Sequence, residues 1–139
     1  MEPEAFDVGT LWKMQSLSQT VCCFDPRLLN AEATPGELAW GWAKDHDTLA
    51  HSWCTQLWEE NGQVSAWAWL KAPFRVTRPD GKLRTSEQAR LVWQTMPNRP
   101  DLVARLFDWF VSAADRSEMA TVLMRSDKQS QGIAAAQLL

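Results

Sequence analysis

Two tryptophan-bearing apolar runs meet at Glu60-Asn61-Gly62, and that junction constrains the fold of this chain more than any other feature. Leu57-Trp58 stand before it, and Val64 to Leu70 (VSAWAWL) follow it. Asn-Gly tolerates the positive φ of a type I′ turn, so residues 52–70 read as a β-hairpin. In the second run Trp67 and Trp69 share one face, while Val64, Ala66, Ala68 and Leu70 share the other. A strand that is apolar on both faces must be covered on both, which points to a layered α/β domain.

The rest of the chain supplies the covering layers. Val8 to Cys23 reads as a helix, with Val8, Leu11, Trp12, Leu17 and Val21 toward one apolar side. Asp25-Pro26 ends it, because the residue before proline is pushed out of the α region. Thr34-Pro35-Gly36-Glu37 is a capping box with proline at the first helical position. It opens a short helix, Pro35 to Ala43, that presents Leu38, Ala39 and Trp42 to the core, and Ala43 to His51 reads as a polar loop. Lys71 to Gln88, with Pro73, Pro79 and Asp80-Gly81, is an insertion, either a long loop or a second hairpin. Ala89 to Gln94 is a further strand, leading through Met96-Pro97 into a helix from Pro100 to Ala114. That helix sets Leu102, Val103, Leu106, Phe107, Phe110 and Val111 at three-to-four spacing. Met119 to Met124 reads as another central strand, and a last helix begins near Gln129. The expected class is α/β (α+β): a mixed, mainly antiparallel sheet flanked by helices, in one domain spanning residues 1–139 with the insertion at about 71–88.

Bulk properties exclude several functions. A net charge of -3 disfavours nucleic acid as the main partner, since phosphate neutralisation needs a concentrated basic patch. The densest basic stretch, Lys71 to Arg90, also holds Asp80 and Glu87 and reads as solvated loop. No run reaches the ~20 apolar residues of a membrane span. Met1-Glu2-Pro3-Glu4 is acidic and no apolar segment follows it, so no secretory signal is expected. Cys22, Cys23 and Cys54 are an odd count with one adjacent pair, which suits reduced thiols and a cytoplasmic location. Asp45-His46-Asp47 with His51 lacks the spacing of known metal sites, and no metal is expected. Nine tryptophans and no tyrosine imply an indole-rich core. Trp67 and Trp69 are the rings best placed to reach a ligand mouth and stack a flat substrate.

The order of elements, with the phrases GELAWGW, LWEENGQVSAWAWL and RPDLVARLFDWF, resembles the GNAT N-acetyltransferase superfamily. It looks most like the amino-terminal half of the tandem-GNAT proteins common in actinobacteria. The resemblance runs from about Met14 onward. It implies a GNAT-like acyl-CoA N-acyltransferase fold, acetyl-CoA as co-substrate, and direct attack by a primary amine. In that family a loop of the form R/Q-x-x-G-x-G/A follows the fourth strand. Its glycines let backbone N–H groups approach the pyrophosphate at a helix N-terminus.

Two stretches compete for that role here. Thr95 to Asp101 (TMPNRPD) has the right place but no glycine and two prolines, leaving Arg99 to meet a phosphate. Gln129 to Ala134 (QSQGIA) fits Q-x-x-G-x-A and follows the Met119–Met124 run, which makes Gln129, Gly132 and Ala134 the alternative contacts. On either alignment the resemblance implies closing strands that this stretch lacks, whether supplied by a second GNAT-like domain of a parent chain, supplied by a partner subunit such as a homodimer formed at the sheet edge, or lost by truncation. The chain has no tyrosine, the residue the family often uses to reprotonate the leaving thiolate. Glu59, Glu60 and Asp47 are the carboxylates available as a base. Two functions follow: an acetyltransferase domain acting on a primary amine, or a non-catalytic, degenerate GNAT-like module that binds a ligand or a partner domain.

Overall fold

The structure, a computed structural model, describes residues 6–116 and 122–124, with side chains described for 6–113. Helix α1 (Val8–Phe24) starts where Asp7 accepts a 2.8 Å hydrogen bond from the Thr10 N–H and ends at Asp25. It buries Leu11, Met14, Leu17 and Val21. Val8 and Trp12 were expected on that face but lie exposed. They form an i, i+4 pair on a neighbouring stripe, turned away from the one that 11, 14, 18 and 21 define.

Helix α2 (Pro35–Leu49) begins at the expected cap, where the Glu37 N–H donates 3.1 Å to Thr34 Oγ1. It runs past Ala43, so the expected polar loop at 43–51 is helical as far as Leu49 and ends in a 3-10 turn, Ala50–Ser52. The reason is that Asp45 and Leu49 extend the inward stripe begun by Leu38 and Trp42, and Asp45 finds a cationic partner inside.

The hairpin forms as its sequence requires. Strands β1 (Trp53–Glu60) and β2 (Gln63–Lys71) pair antiparallel about Asn61 (φ 54) and Gly62 (φ 79), the left-handed pair of a type I′ turn. A bulge interrupts the pairing between Trp58 and Glu59, just before the turn, and there Ser65 Oγ donates 3.1 Å to the Trp58 carbonyl. The insertion resolves into a second hairpin, β3 (Phe74–Thr77) with β4 (Leu83–Ser86), forming its own two-stranded sheet. Strand β5 (Ala89–Thr95) returns antiparallel to β2, and helix α3 (Pro100–Arg116) carries the chain over to β6 (Val122–Met124), parallel to β5. The main sheet therefore has the order β1-β2-β5-β6.

Both faces of that sheet are covered. Leu57, Trp67, Trp69 and Val92 pack under α1 and α2, whereas Ala68, Leu70, Leu91 and Trp93 pack under Val103, Leu106 and Phe107 of α3. Val111 was expected in the α3 stripe and is 55% exposed; Ala113 takes its place one face round. Trp67 and Trp93 are fully buried, each worth several kcal/mol to the fold, since truncating a core Trp costs about 3–5 kcal/mol.

Candidate functional site

Two regions gather polar chemistry, one at each end of the β2–β5 pair. The first is the loop joining β5 to α3. Met96 N–H donates 2.9 Å to the Ser65 carbonyl, which fixes the hydrogen-bonding phase of the ladder. Antiparallel partners alternate between the two edges of a strand, so Leu91, Trp93 and Thr95 turn their backbone groups toward the β6 side. Among the described residues the β6 ladder reaches only Ala89, Arg90 and Leu91. Farther along, the Trp93 carbonyl accepts from Asn30 Nδ2 (3.3 Å) and the Thr95 carbonyl from Gln94 Nε2 (3.0 Å). Asn30 and Gln94 are themselves locked together, for the Asn30 N–H donates 3.0 Å to Gln94 Oε1. Both side chains are buried.

After Thr95 the chain turns through Asn98 (φ 58) and enters α3 at Pro100, with the Arg99 carbonyl accepting the first helical hydrogen bonds from Leu102 and Val103. Pro97 and Pro100 carry no N–H to offer a ligand. Arg99 grips Glu60 with two parallel 2.8 Å bonds, Nη1 to Oε1 and Nη2 to Oε2, and also bonds Asp101 at 3.0 and 2.8 Å. The guanidinium holds the Glu60 carboxyl below its usual range and Asp101 down at about 2, while its own pKa is raised by the two carboxylates. The backbone N–H groups of Asp101 and Leu102 in the first turn of α3 help to lower the Asp101 carboxyl. The positive end of this helix is thus already met by a carboxylate. A broad groove of about 770 Å³ runs from this loop past the hairpin turn to the exposed Trp12 and Lys13 of α1.

The second region is a cavity of about 340 Å³ at the other end of the same strands, where Lys71 pairs in register with Arg90. Its walls come from α2, the end of β2, the β3–β4 hairpin and the start of β5. Arg84 clamps Asp45 at 2.6 and 3.3 Å and so ties the second hairpin to α2. Arg90 pairs with Glu32. Lys71 lies with Nζ 4.0 Å from the centre of the Trp69 ring, and burial pushes its pKa down.

The expected site residues fall unevenly on this frame. Arg99 stands at the start of α3 and Glu60 beside it, both inside the ion cluster. Glu59 points elsewhere and pairs with Lys13 at 3.0 Å. Trp67 is fully buried, and Trp69, only 2% exposed, contributes one edge to the wall of the smaller cavity. Gln129, Gly132 and Ala134 lie outside the described residues. Asp45 belongs to the Arg84 clamp, His46 stacks on Trp42 at 4.4 Å, and Asp47 is exposed. Among the described residues no three His, Cys, Asp or Glu side chains gather as metal ligands, and no helix is long and apolar enough to cross a membrane. Sequence reasoning passed over Asn30, Gln94 and Lys71. A glutamine closing the apolar run ARLVWQ was the available signal, since a polar residue in a two-sided core strand must find buried partners.

No family model matches the chain, and no curated protein matches it in sequence. Similarity emerges in the fold. A predicted acetyltransferase from Clostridium acetobutylicum, solved with acetyl-CoA, superposes with a TM-score of 0.58 at 13% identity, over 96% of this chain and 85% of that one. A tetramutant of the BH1408 protein from Bacillus halodurans superposes with a TM-score of 0.54 at 11% identity, over 99% and 89%. At such identities what is shared is architecture, and this chain has the mixed α/β fold of that acetyl-CoA-containing acetyltransferase structure.

Proposed function

We infer that this chain is a GNAT-type acetyltransferase domain that binds acetyl-CoA and passes its acetyl group to a primary amine. The observation that carries this reading is the β5–α3 unit, set in a fold that a neighbour solved with acetyl-CoA shares over nearly the whole chain. The N–H groups of Trp93 and Thr95 face the β6 side, where an extended pantetheine arm can add to the strand as a peptide would. Its diphosphate would then fall near the start of α3, and Arg99 is the cation there. For Arg99 to bind phosphate it must leave Glu60 and Asp101, an exchange of one set of oxygen acceptors for another. In the transfer itself the amine nitrogen attacks the thioester carbonyl, the C–S bond breaks, and the amine proton ends on the departing thiolate or solvent. A second GNAT-like domain in a parent chain is the natural partner for this half.

A second reading has its own support. With two prolines, no glycine and two carboxylates at the α3 start, the cluster around Arg99 suits a non-catalytic GNAT-like module in which the diphosphate seat has been filled by protein side chains. A thiol-release assay separates the two. The chain is incubated with acetyl-CoA and a panel of primary amines, and free CoA is followed with a thiol reagent. Amine-dependent release supports the enzyme, and release no faster than hydrolysis with every amine supports the binding module.

A further inference from the structure

Three cation-on-ring contacts occur among the described residues, and all three line the 340 Å³ cavity: Lys44 with Trp40 (5.9 Å), Lys71 with Trp69 (4.0 Å) and Arg84 with Phe74 (5.3 Å). A chain of this length is expected to hold about two such pairs anywhere on its surface or core. Their gathering at one opening calls for an explanation that core packing does not supply.

Charge narrows the explanation. Four cationic side chains line the cavity against three carboxylates. Arg84 is taken by Asp45 and Arg90 by Glu32, while Glu37 sits exposed at the rim. Lys44 reaches Asp45 only at 4.0 Å, a carboxylate already clamped by Arg84. Lys71 has no carboxylate within 4.0 Å among the described residues; its charge rests on an indole face, half-buried. A cation held this way is desolvated without being neutralised, which is the arrangement that rewards an incoming anion.

Shape narrows it further. The volume matches the lower end of small-molecule pockets, larger than a bare phosphate needs. Trp40 stands 63% exposed on α2 at the mouth, a flat apolar platform that the core does not use. Trp53 and Phe74 supply further ring surface inside.

We propose that this cavity is a binding site for a small planar aromatic carboxylate, its ring against Trp40 and its carboxylate between Lys71 and Lys44. The site lies at the opposite end of β2 and β5 from the α3 loop, so it stands whether or not the chain transfers acetyl groups.

The test is an NMR titration that follows indole N–H signals, with indole-3-carboxylate as probe. Indole-3-carboxamide serves as the neutral match, tryptamine as the cationic one, and inorganic phosphate as the anion without a ring. The carboxylate should bind with a Kd of about 1 mM or tighter, in line with a ligand of this size. The amide and the amine should bind about tenfold more weakly, and phosphate should not shift the Trp40 signal. Lys71→Met should weaken the carboxylate about tenfold and Trp40→Ala about threefold. Lys82→Met, on the β3–β4 turn outside the cavity, should leave it unchanged. If Lys71→Met unfolds the chain, Lys44→Met and the loss of binding at high salt carry the same test. Equal binding of carboxylate and carboxamide, or no saturable shift at Trp40, overturns the proposal.

Discussion

Arg99 and Glu60 face each other through two parallel 2.8 Å hydrogen bonds, joining the β1–β2 turn to the first turn of α3. This fork stands at the end of β2 and β5 where the chain enters α3. It holds the loop in place while occupying the cation a diphosphate would need.

Removing the competing carboxylates should therefore strengthen binding of the coenzyme. The double variant Glu60→Gln, Asp101→Asn takes two negative charges from the start of α3 and frees Arg99. Affinity for acetyl-CoA should rise about tenfold over wild type, from roughly 0.3–1 kcal/mol per charge at a helix N-terminus. Titration calorimetry on both proteins reads the ratio, and an unchanged or weaker affinity removes Arg99 from the diphosphate site.

The same cluster sets a pH signature. Glu60 and Asp101 have pKa values lowered in the folded chain, Asp101 from 3.8 to about 2, so both favour the native state once ionised. That contribution is complete above the unfolded value and is lost as the pH falls through the folded one. The thermal midpoint of wild type should exceed that of Arg99→Met near neutrality, and the gap should close between about pH 4 and about pH 2. High salt should narrow it at every pH, because all three groups lie at the surface.

Much of this architecture was legible from residue pattern alone. Asn61-Gly62 demanded positive φ and received it, and the two-sided strand at 64–70 is covered on both faces as its alternation required. The capping box at Thr34 was equally readable because its hydrogen bond is local. What the pattern missed depends on long-range partners. Asp45 continues a helix because Arg84, far along the chain, neutralises it, and Val111 is exposed because no described residue packs over that edge of α3. The candidate site was less legible for the same reason. The place of Arg99 in the chain raises the expectation of a phosphate ligand, whereas its capture by Glu60 arises only when the hairpin turn folds beside it.

Buried amides give a stability test. The Asn30 N–H donates to Gln94 Oε1, and the two side-chain amides cap two carbonyls of β5. Gln94→Leu should cost about 1–3 kcal/mol by leaving the Asn30 N–H and the Thr95 carbonyl without partners. Urea unfolding of both proteins measures it, and a neutral result would mean that water fills the gap.

Backbone strain gives another. Asn98 sits at φ 58, a region closed to β-branched residues. Asn98→Gly should be near neutral, while Asn98→Val should lose about 1–2 kcal/mol. Equal stability of the two would show that the turn relaxes when substituted.

The proposed function requires that this chain bind acetyl-CoA beside a loop with two prolines and no glycine. Titration calorimetry of acetyl-CoA into the wild-type chain, with CoA in parallel, tests it most directly. Saturable one-to-one binding is expected, weakened by phosphate-bearing competitors and strengthened in the Glu60→Gln, Asp101→Asn variant. Absence of saturable heat with both proteins would contradict it and leave the non-catalytic module as the function of this chain.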